Sequence, residues 1–252
     1  MKQMKFFLVA LMAVVMGMSV TSCMNGDDNH NVTMTVPVKY NYGSFIMGDA
    51  TTKLVPTTEL GFLDGNMYLV YCQYDQSQVT ANSNSISVTL LSTPLCIDPK
   101  SNESLTTIKA DPTNPLYSLD KQQSSLVYYD KNTIVLTMPY WVKVTNSSVE
   151  DSEVKKHSFV LSYDPTAMTA SDTKLKLYIS HVVEDAGETV TRSNFTYAYR
   201  AYSIRAALAA FKEKTGKLPK YLELTAQTNN SKDELKEGNG ETSVEYDYAF
   251  TE

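Results

Sequence analysis

The paired stretches His157-Ser-Phe-Val-Leu-Ser-Tyr163 and Lys174-Leu-Lys-Leu-Tyr-Ile-Ser-His181 decide how this chain is read. In the first, His157, Phe159, Leu161 and Tyr163 hold odd positions, and Ser158 and Ser162 hold even ones. In the second, Leu175, Leu177, Ile179 and His181 are odd, whereas Lys174, Lys176 and Ser180 are even. Strand side chains alternate faces with a period of two, so one hairpin register buries every odd position together. A slip by one residue would drive the lysines into the core. Folding the chain about Thr169 sets His157 opposite His181, Phe159 opposite Ile179, Leu161 opposite Leu177 and Tyr163 opposite Leu175, with 164–173 as the loop.

Outward from this hairpin, the same patterning predicts strands over 32–42, 44–47, 52–55, 67–74 and 85–97. Pro37 marks an edge or bulge, because proline cannot donate to a ladder. Gly48-Asp49-Ala50 reads as a hairpin turn. Residues 98–123, with Pro99, Pro112 and Pro115, read as a linker or long surface loop. Further strands are expected over 126–129, 133–144, 194–202, 220–228 and 243–250, with loops at 146–154 and 229–240. One stretch changes period. Ile204, Ala207, Leu208 and Phe211 fall at helical spacing, with Ser203 placed to cap the start and Lys212, Lys214 and Gly216 suited to the end. A single short helix is therefore predicted near 203–215. Seventeen tyrosines, with abundant threonine, valine and serine, agree with a mostly β chain.

The N-terminus carries a different message. Lys2 and Lys5 precede an unbroken apolar run, residues 6–18, and then the small residues Val20-Thr21-Ser22 lead to Cys23. A run that short with a basic front is a secretory signal and not a membrane span. Its end resembles the lipobox of bacterial lipoproteins. That resemblance implies cleavage after residue 22, Cys23 as the first mature residue, and a lipid on its sulfur. Residues 23–31 then form a polar tether. Asp27 and Asp28 stand either as a solvated linker or as acidic residues that resemble a surface-export signal. Several acyl chains on one cysteine make a durable anchor, since each buried methylene adds about 0.8 kcal/mol.

Loss of Lys2 and Lys5 with the signal shifts the net charge from −6 to −8. An acidic chain with no Lys/Arg cluster argues against nucleic acid as a partner. Of the remaining cysteines, Cys72 and Cys96 lie in separate β-like runs and read as buried free thiols in preference to a disulfide.

The hairpin 157–164 with Leu175–His181, together with Cys23 and its acidic followers, is similar to the NigD-like lipoproteins of Bacteroidetes. The resemblance implies an N-terminal OB-like barrel over 32–115 and a C-terminal β-sandwich over 116–252. It also implies a non-catalytic protein on the outer membrane, accessory or immunity-related beside a bacteriocin locus. The alternative is a surface lipoprotein that binds glycans or peptides for an uptake system.

Candidate chemistry is sparse. His157 and His181 are the weak candidates for a metal, since facing imidazoles joined by Glu153, Glu184 or Asp185 could hold a transition ion. Against this stands a packed pair satisfied by hydroxyls or carbonyls. Tyr197 and Tyr199 share a strand face and are weak candidates for a ligand platform. Tyr68, Tyr71 and Tyr74 are considered beside them. No Ser–His–Asp set, phosphate loop or zinc-type cysteine pattern occurs, so no catalytic residues and no cofactor are assigned. The adjacent carboxylates Glu150-Asp151 and Glu184-Asp185 read as solvated loop charges.

Overall fold

The computed structural model describes residues 30–48, 52–58, 61–80, 83–97, 103–187, 189–235 and 240–250. Cys23, the signal segment, the tether up to residue 29 and the Asp49-Ala50 half of the first turn lie outside the described residues. Strand accounts for 48% and helix for 9%, which makes the class mostly β. No described helix is long and apolar enough to cross a membrane.

The chain divides into two units. The first comprises the residues before Glu103 together with Val127–Val135; the second comprises Glu103–Leu126 and the residues from Leu136 onward. The division falls at 102/103, with an excursion at 127–135.

In the first unit, β1 (Asn31–Asn41), β2 (Ser44–Ile46), β3 (Lys53–Pro56), β4 (Met67–Asp75) and β5 (Ser85–Leu90) follow one another. They pair in the ring β1-β2-β3-β5-β4, which β1 and β4 close. The β3–β5 pairing is parallel, and the others in the ring are antiparallel. A closed five-stranded ring with this one parallel pairing is the OB-like barrel that the family resemblance implies. A short β6 (Leu95–Cys96) adds to β4. Pro37 lies where β1 pairs β4, while β2 joins only from Lys39, so its missing N–H leaves no ladder bond unmade. The even residues Met34, Val36, Val38, Val70 and Cys72 point inward with Phe45, Leu54 and Val88. Tyr40, Phe45, Phe62 and Tyr68 form an aromatic cluster, with ring centroids 5.0 to 5.6 Å apart. Cys72 is buried, Cys96 is exposed, and neither is in a disulfide; the expectation that both are buried fails at Cys96. Gly48 has φ +42°, and a Cβ there would lie 1.9 Å from the Tyr129 carbonyl oxygen, so only glycine fits.

The second unit contains the four-stranded sheet β10-β11-β13-β14. Its members are β10 (His157–Ser162), β11 (Lys174–Val183), β13 (Tyr221–Gln227) and β14 (Glu241–Asp247). The remaining sheet has the order β7-β12-β9-β8, from β7 (Glu103–Ser104), β8 (Ser125–Asp130), β9 (Thr133–Val142) and β12 (Asn194–Ser203). Tyr140 of β9 packs edge-on against Phe159 of β10, and the Tyr202 hydroxyl of β12 donates to the Phe159 carbonyl at 2.8 Å, which joins the two sheets as a sandwich.

The β10–β11 hairpin keeps the predicted faces but not the predicted register. Phe159 pairs with His181, Leu161 with Ile179, and His157 with Val183. A two-residue shift costs the pattern nothing, because it returns every side chain to the same face.

Among the described residues two α-helices occur: a single turn, α1 (Asp151–Val154), and α2 (Arg205–Thr215). The α2 helix buries Ala207, Leu208 and Phe211 as its spacing predicts, and ends in Gly216 at φ +74°, whose N–H returns to the Lys212 carbonyl. Its N-cap is Ile204 without a side-chain cap, because Ser203 stays in β12. The stretch 98–123 is more than a linker: it supplies β7, and Leu105, Leu116 and Leu119 are buried.

Candidate functional site

The two histidines do come together, though not across one rung of the ladder. His157 opens β10, and His181 lies near the end of β11, diagonal to it. Both rings point into the sandwich, and His157 Nδ1 lies 2.9 Å from His181 Nε2. His181 stacks nearly parallel on Phe159, with centroids 4.8 Å apart and planes at 3°. Tyr140 meets the His157 ring edge-on at 4.8 Å.

Each remaining ring nitrogen has a partner from a different segment. His181 Nδ1 faces the Pro115 carbonyl at 3.1 Å. The 113–116 segment is held there by the Thr113 N–H on the His181 carbonyl and by the Leu116 N–H on the Gln227 carbonyl. His157 Nε2 faces Glu153 Oε1 at 3.2 Å. Glu153 belongs to α1, within a stretch whose polarity predicts a loop. Asp151 and Glu153 in its first turn suit the positive end of a helix.

Glu153 then meets Arg192. Arg192 Nε donates to Glu153 Oε1 at 2.7 Å, and the backbone N–H of Lys143 donates to the same oxygen at 3.0 Å. The other edge of the guanidinium grips Asp185 with two bonds, Nη1 to Oδ2 at 2.8 Å and Nη2 to Oδ1 at 2.6 Å. Lys156 Nζ approaches Asp185 Oδ1 at 3.5 Å. The turn that presents Asp185 is made possible by Ala186 and Gly187, both at positive φ. The Arg192 backbone N–H is itself held by Asp233 at 3.0 Å. The side chain of Arg192 is 1% exposed and that of His157 0%, so this is an interior cluster.

Electrostatics follow from that burial. Desolvation pushes His157 below the usual histidine range, with Glu153 pulling against it. It pushes His181 down to about 3, reinforced by the neighbouring His157. Burial alone would raise Glu153, but the Lys143 N–H, Arg192 and His157 outweigh it and hold the carboxyl low. Arg192 holds Asp185 low, against partial burial. Burial likewise works against the Arg192 charge, yet its two carboxylates keep it above its ordinary value.

Ring nitrogens aimed at each other across 2.9 Å do not converge on a third point where an ion could sit. Among the described residues no group of three or more His, Cys, Asp or Glu is placed to hold a metal. The carboxylates read as solvated divide: Asp151 and Glu184 are exposed, but Asp185 is drawn into the cluster because Arg192 needs a second anion. Arg192 escaped the sequence reading. Its one signal was being an arginine in a polar stretch between two strands.

The second candidate lies on β12. Tyr197 is exposed, and Tyr199 is half-buried with its phenol pushed up by burial. Tyr197 meets Phe195 edge-on at 5.9 Å, and Phe195 stacks on Tyr117 at 4.2 Å and 19°. Tyr117 in turn meets the buried Trp141, whose indole N–H donates to the Asn229 carbonyl at 2.7 Å. The platform is thus Tyr117, Phe195 and Tyr197, with Phe195 and Tyr117 missed from sequence. In β4, Tyr68 and Tyr74 turn into the barrel while Tyr71 turns out, so those three make no platform.

No family model matches the chain, and no curated protein matches it. Solved structures do. A "Putative lipoprotein" from Bacteroides fragilis is 30% identical, with a TM-score of 0.65 over 86% of this chain and 98% of that one. An uncharacterized protein from Parabacteroides merdae is 14% identical, with a TM-score of 0.52 over 85% of this chain and 99% of that one. A protein of unknown function, DUF1344, from Bacteroides vulgatus is 6% identical, with a TM-score of 0.50 over 86% of this chain and 90% of that one. The latter two show a shared fold and no more.

Proposed function

The chain belongs to the family of the Bacteroides fragilis protein, and from that premise we propose that it is a non-catalytic lipoprotein of the cell envelope, held to the outer membrane by lipid on Cys23. The observation that carries the anchor is Cys23 itself, placed behind a short apolar run with a basic front. The sealed state of the histidine cluster supports a role without turnover. Its ring nitrogens are spent on each other, on Pro115 and on Glu153, and none faces a cleft where a substrate could reach it. Within this reading the protein is NigD-like and acts through protein contacts, as an accessory or immunity factor beside a bacteriocin.

The deciding experiment is Cys23→Ser, followed by fractionation and mass spectrometry of the mature N-terminus. The wild-type protein is expected in the outer-membrane fraction with an acylated residue 23, and the variant in the soluble fraction. Wild-type protein with a free thiol at residue 23 would overturn the anchor.

A second reading rests on Phe195 and Tyr197, which expose their rings beside the stacked Tyr117. Aromatic faces of this kind bind sugar rings or peptide side chains, which fits a binding lipoprotein of an uptake system. A Phe195→Ala/Tyr197→Ala double variant is expected to lose binding in a glycan and peptide array. Wild-type protein that retains nothing from either array would sink this reading.

A further inference from the structure

His157 and His181 form a hydrogen-bonded chain whose proton count can be worked out from geometry. The chain runs Pro115 C=O, His181 Nδ1, His181 Nε2, His157 Nδ1, His157 Nε2, Glu153 Oε1, with contacts of 3.1, 2.9 and 3.2 Å. Both ends only accept: one is a carbonyl, the other a carboxylate that already receives Arg192 Nε and the Lys143 N–H. Three contacts thus require three protons on four ring nitrogens. Two neutral imidazoles bring only two. Wherever those two are placed, at least one contact is left with two acceptors face to face, which costs free energy in a buried site. A third proton completes every contact. A fourth would set two N–H groups against each other across 2.9 Å, and the cluster would have to open.

Charge leads the same way. The groups facing the pair are Glu153 from α1, Arg192 from the segment before β12, and Asp185 from the turn after β11. Tyr140 of β9 packs on the rings, and Arg200 of β12 lies over Phe159. The interior triad of Arg192, Glu153 and Asp185 carries one excess negative charge; toward its rim, Asp233 accepts from the Arg192 backbone N–H and the partly exposed Lys156 approaches Asp185. One added proton neutralises that triad; two would overshoot it.

We infer that His157 and His181 are a one-proton site: the closed protein binds a single proton shared along the pair and refuses a second until the cluster opens. The first proton completes the hydrogen bonds of a clasp that ties five segments together, namely 113–116, α1, β10, the end of β11 and the stretch around Arg192. The second proton releases it. The strong downward push on His181, to about 3, agrees with the second proton being withheld. This inference does not depend on the lipid anchor.

The test is an imidazole 15N titration of the mature chain, followed from pH 8 down to unfolding. The expected result is one transition, in which both buried rings shift together and the summed change equals one proton. Two outcomes overturn the proposal: no transition in the pair before unfolding, or two full protonations while the fold persists. His157→Gln provides a second readout. It should abolish the shared transition and leave His181 neutral throughout the folded range; a His181 that still titrates as before would count against sharing.

Discussion

The barrel and the sandwich solve the same problem in opposite ways. The barrel closes its ring with backbone ladders and fills it with Met34, Val36, Val38, Phe45, Leu54, Val70 and Val88. Among its buried titratable groups are Cys72, pushed up to about 12, and Tyr74, also raised by burial, so both stay neutral across ordinary pH. The sandwich instead places Glu153, His157, His181 and Arg192 inside. Burying charges is expensive, and two packed apolar residues of like volume are often as stable as an ion pair. What the ions add is directional bonding that segments far apart in sequence can share. The apolar interior is tolerant of conditions, while the ionic one is sensitive to them.

That contrast breaks most sharply at Glu153. Glu153→Ala leaves Arg192 with one carboxylate and strands the Lys143 N–H and His157 Nε2, and it should cost about 3–5 kcal/mol in chemical denaturation. The apolar counterpart, Leu54→Ala, removes a fully buried side chain from the barrel and should cost about 3 kcal/mol. Gly48→Ala probes backbone fit without removing any contact. With positive φ and a carbonyl in the way, it should cost more than about 1 kcal/mol, readable as a lower melting temperature.

Acid should separate the two units. Burial holds both histidines below their unfolded value of about 6.5. The unfolded chain therefore binds protons more readily, and stability present above that pH is lost as pH falls. Hydrogen exchange at pH 7 and at pH 4.5 should show amides of β10 and β11 losing protection relative to those of β1 and β4. Equal losses in both units would remove the distinction. The smallest effect is expected at the rim: the Lys109–Glu241 pair is about half-exposed on each side, so Lys109→Ala should change stability by less than about 1 kcal/mol.

Much of this was legible in the residues. The odd-position face of 157–163 and 175–181 was readable because a strand has only two faces and lysine is costly on the inner one. The α2 helix was readable because Ile204, Ala207, Leu208 and Phe211 repeat at its pitch. The register was not, since a shift by two residues leaves every inward side chain inward. Nor were the partners of the histidines. Pro115, Glu153 and Arg192 come from three separate segments, and nothing local in any of them announces a shared destination.

The order of side chains along each strand and helix, and which of them must avoid water, was settled by the sequence by itself, because those choices depend on period and polarity alone. Which strand lies beside which, which carbonyl meets His181, and which of the loop carboxylates becomes an interior anion were decided only when the chain closed on itself. Hydrogen bonds and ion pairs act over about 3 Å, and distances that short between remote residues exist only in three dimensions.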